Sequence, residues 1–98
     1  MQQPKVKEIE FHQITMVIGD DENDVLDLYT SPLFCSKEHA LENLTEYVKV
    51  NRHLHDGELD DTTPETIEQE MSDWAFDIEV FFKLNYNTWD IPIIINNN

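Results

Sequence analysis

The stretch Asp73-Trp74-Ala75-Phe76-Asp77-Ile78-Glu79-Val80-Phe81-Phe82-Lys83-Leu84 carries two periodicities at once. Counted at helical spacing from a little upstream, Ile67, Met71, Trp74, Ala75, Ile78, Phe81 and Phe82 fall on one stripe, the mark of an amphipathic helix of about four turns. Counted in twos, Phe76, Ile78, Val80, Phe82 and Leu84 alternate cleanly, and their aromatic and β-branched character favours a strand. The preferred reading is a helix to about residue 83. Its rival ends the helix near Trp74 and begins a strand at Phe76. The start of this helix is clearer, with Thr63 as N-cap and Pro64 at the first position, or Thr62 and Glu65 as a capping box.

Downstream, Asn85-Tyr86-Asn87-Thr88 reads as a turn, and Trp89 to Ile95 as a strand that Pro92 confines to an edge or a bulge. Upstream, Asn51 to Thr62 reads as a loop, preceded by a helix near 37 to 50 with Ser36 as N-cap and Ala40, Leu41, Leu44, Tyr47 and Val48 at helical spacing. Glu38, Glu42 and Glu46 lie one per turn on its outer face, about 6 Å apart. Like charges at this spacing mildly destabilise the helix taken alone. Further upstream, Val6 to Ile18 is a strand whose apolar phase changes near His12 and Gln13, through a bulge or a switch between buried faces. Gly19-Asp20-Asp21-Glu22-Asn23-Asp24 is an acidic turn, and Val25 to Tyr29 the returning strand. The expectation is one small α+β domain, residues 1–98. It comprises an N-terminal antiparallel β-hairpin, two helices and one or two C-terminal strands, with the helices packed on one face of the sheet.

Composition bounds the partners. The chain has 98 residues, 21 acidic and six basic, for a formal charge of −15. A folded surface of roughly 5,800 Å² would leave only about 390 Å² to each uncompensated charge. Nucleic acid and anionic membrane are poor partners for such a field, and cationic surfaces, above all those that hold DNA or RNA, are good ones. Apolar residues at 40% and aromatics at 10% are too abundant for a disordered acidic chain. Cys35 is alone, which excludes an internal disulfide and fits a reducing compartment. No apolar run approaches a membrane span, so a cytoplasmic location is expected, in the host cytoplasm if the protein is viral.

His53-Leu54-His55-Asp56 with Glu58, Asp60 and Asp61 is a weak metal motif, and neither acidic loop has the glycine and glutamate spacing of a calcium hand. Cys35 with His39 could form a nucleophile and base, but Leu33-Phe34-Cys35 reads better as a small buried hydrophobe. No catalytic, cofactor or metal residue is assigned. In size and charge the chain resembles the small acidic inhibitors that imitate DNA and the acidic immunity proteins of nuclease toxins. That likeness is of composition alone and assigns no residue.

The expected function is therefore a non-enzymatic inhibitor that occludes the nucleic-acid site of a basic protein or nuclease, in a viral or mobile-element counter-defence or as an immunity partner. The candidate partner-binding residues are Asp20, Asp21, Glu22 and Asp24 of the turn, Glu38, Glu42 and Glu46 of the first helix, and Asp73 and Asp77 around the apolar pair Phe76 and Val80. The alternative is a homodimeric interaction module whose acidity serves solubility, with Trp74, Phe76, Val80 or Trp89 at the contact.

Overall fold

The computed structural model describes residues 5–20 and 24–95. Its elements run β1 (Lys5–Gly19), β2 (Val25–Thr30), α1 (Lys37–Val50), α2 (Ile67–Asp77) and β3 (Phe81–Ile95), a small α+β fold with one antiparallel sheet ordered β2-β1-β3. The sheet is dominated by one ladder. β1 and β3 pair over their whole length, from Lys5↔Ile95 to Gly19↔Phe81, without a break in register.

That ladder overturns the sequence reading at one place and decides between alternatives at two others. The expected turn at Asn85–Thr88 is mid-strand, opposite Thr15 to His12, because fifteen consecutive residue pairs outweigh the turn preference of two asparagines. No bulge occurs near His12 and Gln13. The strand runs straight through while its apolar residues change face, Ile9 and Phe11 on one side and Ile14, Met16 and Ile18 on the other. The irregularity lies instead between Ile18 and Gly19, in the pairing with β2. There the turn closes, Asp20 N–H donating to the Asp24 carbonyl (3.0 Å) and Asp24 N–H to Asp20 Oδ1 (3.0 Å). Pro92 sits in an edge strand, where a missing amide is tolerated.

α1 forms where its spacing predicts, with the Ser36 hydroxyl accepting from His39 N–H (3.2 Å). α2 is shorter than the preferred reading. It stops at Asp77, between the two sequence alternatives, in a Schellman closure: Val80 N–H donates to the Ala75 carbonyl (3.0 Å) and Glu79 N–H to that of Phe76 (3.2 Å). Glu79 takes the left-handed conformation this requires, with φ 60. Regular helix also begins later than the capping signal suggested, at Ile67, although Ile67 N–H already donates to the Thr63 carbonyl (2.8 Å).

One buried cluster joins Ile14, Met16 and Ile18 of β1 and Tyr29 of β2 to Ala40, Leu44 and Val48 of α1 and Ile67, Met71, Trp74 and Ala75 of α2. The segment between the helices is wound rather than loose. His55, fully buried, donates from Nε2 to the Val48 carbonyl (2.9 Å) while its Nδ1 accepts from Gly57 N–H and Leu59 N–H (3.1 Å each). Beyond Ile14 the ladder outruns this core. From Phe11↔Trp89 to Lys5↔Ile95 the two strands continue alone, and the molecule measures 63 × 29 × 18 Å with a radius of gyration of 17.7 Å. A compact chain of this length would have about 13 Å. Among the described residues, no helix is long and apolar enough to cross a membrane.

Candidate functional site

Alternation along the strands sorts the charges. Even positions of β1 and β3 share a face with Asp27 and Tyr29 of β2, since Met16 pairs with Tyr29 and Ile18 with Asp27. Their side chains enter the core or, in the projecting ribbon, carry Glu8, Glu10, His12 and Asp90. Odd positions make the opposite face: Lys5, Lys7, Ile9, Phe11, Gln13, Thr15 and Val17 beside Phe81, Lys83, Asn85, Asn87, Trp89, Ile91 and Ile93, with Leu28 and Thr30 of β2. Among the described residues this open face carries no carboxylate and half of the six basic residues. The acids are segregated to the rest of the molecule.

On that other side Glu38, Glu42 and Glu46 are all exposed along α1, as their spacing predicts. Glu38 and Glu42 line a shallow cleft of about 290 Å³ together with Glu65, just before α2, and with Lys37 and Leu41. The sequence reading did not join Glu65 to this row. Two acids four apart on one helix announce themselves, whereas a third from another segment needs the tertiary fold. Asp73 and Asp77 are exposed on α2 and flank Phe76, which is 82% exposed. The expected partner of Phe76 is elsewhere: Val80, past the helix end, is partly buried against the core, so no apolar pair forms. Asp24 is exposed and Asp20 half-buried at the hairpin turn, while Asp21 and Glu22 lie outside the described residues. Because Gly19 pairs with Phe81, this turn lies at the same end of the sheet as Asp77 and Glu79.

Six cations cannot neutralise this surface, and two of the three that lie off the open face are already engaged. Arg52 pairs with Asp60 (Nε to Oδ2 3.0 Å) and the Lys37 ammonium stands 4.1 Å from the centre of the Tyr86 ring. Three phenols brace the acidic side. Tyr47 donates to Asp27 (2.9 and 3.0 Å), Tyr86 donates to Glu68 (2.6 Å), and Tyr29 donates to Asn43 and stacks on Tyr47 with ring centres 4.4 Å apart. Burial pushes the Tyr47 phenol up to about 12, reinforced by the Asp27 carboxylate that accepts its hydrogen bond. Burial and then Glu68 raise Tyr86 in the same way.

The histidine motif is not a ligand pair, because both ring nitrogens of His55 are committed to backbone groups. Among the described residues, no group of three His, Cys, Asp or Glu is arranged to hold a metal ion. Cys35, expected to be buried, is exposed, since Phe34 rather than Cys35 bridges to His12 at the sheet edge. Comparison of the chain with protein-family models, curated proteins and solved structures finds no match.

Proposed function

We propose that the protein is a non-enzymatic antagonist that presents its carboxylates to a basic nucleic-acid-binding protein or nuclease and so occupies the site of the nucleic acid. The observation that carries this reading is the segregation of charge. Acids line α1, the approach to α2, α2 itself and the hairpin turn, while the open sheet face has none among the described residues. A surface that served only solubility would intersperse both signs. Carboxylates about 6 Å apart along a helix match the phosphate spacing of a nucleic-acid strand closely enough to engage the same lysines and arginines. Phe76, exposed between Asp73 and Asp77, supplies an apolar anchor within a charged rim.

The test is capture of basic nucleic-acid-binding proteins on the immobilised chain across a salt series, followed by challenge with duplex DNA. The expected result is a partner held at low salt, released as salt rises and displaced by DNA. Retention of no basic protein at low salt, or of partners indifferent to added DNA, contradicts the reading.

A further inference from the structure

The open sheet face is apolar over the projecting ribbon between its lysines, is crossed in its middle by Gln13, Thr15, Asn85 and Asn87, and has no use in the proposed antagonism. Ile9 and Phe11 lie beside Trp89, Ile91 and Ile93, and further along the face Leu28 and Phe81 are more than half exposed. Much of this surface belongs to the projecting two-stranded ribbon, which taken alone would be marginal in water. The centre of the patch is already in place. Trp89, 51% exposed, donates its indole N–H to Gln13 Oε1 (3.3 Å), and the Gln13 amide donates to the Ser31 carbonyl (3.1 Å). An aromatic ring fixed before contact loses little freedom on binding.

We infer that this face is a homodimer interface, in which two copies pack their open sheet faces together head to tail about a two-fold axis across the strands. Charge selects the occupant. Each copy carries −15, and this is the side on which two copies meet without setting carboxylate against carboxylate. Charge also selects the direction. Lys5 and Lys7 lie at one end of the β1–β3 ladder and Asp20 and Asp24 at the other, so a two-fold axis across the strands sets the lysines of each copy beside the acidic turn of its partner. The area is adequate. Fifteen residues at 3.4 Å and two to three strands at 4.8 Å give a face of about 50 by 10–14 Å, which with side-chain relief approaches the roughly 800 Å² per partner of a standard interface.

The test is sedimentation of the purified full chain from low to high micromolar concentration at two ionic strengths. The expected result is a dimer that holds or tightens with added salt, as repulsion between the two net charges is screened. Trp89→Glu and Ile91→Lys, both on the open face, each weaken it by roughly tenfold or more, and Phe76→Ser leaves it unchanged. A zero-length carboxyl-to-amine cross-linker supplies a readout on the unmodified chain. Links from Lys5 or Lys7 to Asp20 or Asp24 can form only between copies, because within one copy these residues lie at opposite ends of the ladder. A monomer at high micromolar concentration, a dimer insensitive to both open-face variants, or a dimer lacking those links would overturn the inference. None of these outcomes involves a basic partner, so the antagonist reading stands or falls separately.

Discussion

Glu79 holds the left-handed position at the end of α2 that glycine most often occupies, with φ 60. A side chain in that region costs about 1 kcal/mol. Glu79→Gly should therefore raise stability to chemical denaturation by roughly 0.5–1 kcal/mol, part of the gain being returned through the freer unfolded chain. His55 is the opposite case, a buried ring making three hydrogen bonds to backbone. His55→Ala removes the partner of two amides and one carbonyl and should cost about 2–4 kcal/mol, read as a lower denaturation midpoint at unchanged slope. The tyrosines set an alkaline limit. Folding holds the protons of Tyr47 and Tyr86 more tightly than the unfolded chain does, so their contribution is complete below the ordinary tyrosine value of 10 and declines as pH rises from there toward 12. The melting temperature should fall across that window, and less so in Tyr47→Phe.

Among the elements, α1 was legible because its cap, its apolar spacing and its length agree. The end of α2 was not, because the residue that stops the helix is a glutamate; a glycine there would have punctuated the two competing periodicities. β3 was obscured for a different reason. Asn85 and Asn87 carry turn chemistry, and only their pairing with Thr15 and Gln13, seventy residues away, holds them extended. The ribbon had a trace in the sequence, apolar residues alternating at both chain ends, but its projection beyond the core follows from the lengths of the paired strands. Amides of residues 5–11 and 89–95 should exchange with solvent much faster than those of residues 14–18 at low protein concentration, and gain protection as concentration rises. Along α1, Glu42→Gln relieves two like-charge pairs and should stabilise the fold by a few tenths of a kcal/mol.

The molecule as a whole has two chemically distinct sides, and its 6992 Å² of surface exceeds the roughly 5,800 Å² of a compact chain because the ribbon projects. The acidic composition was evident from the sequence, and so were most of the acids that the helices expose. Their separation from the open sheet face was not, since it depends on which strand phase turns inward. Self-repulsion on the acidic side works against folding, so moving from low to moderate salt should raise the melting temperature by several degrees, the equivalent of about 1 kcal/mol in a domain of this size.

The most direct measurement of the account is neutralisation of the helix acids against those of the ribbon, scored by affinity for a DNA-displaced basic partner at fixed salt. One variant replaces Glu38, Glu42, Glu46, Asp73 and Asp77 with their amides, and the other replaces Glu8, Glu10 and Asp90 of the ribbon. Predicted are a loss of at least about tenfold and a flatter salt dependence for the first, with little change for the second. Losses that follow only the number of charges removed, whether they come from the helices or from the ribbon, would contradict a shaped carboxylate surface.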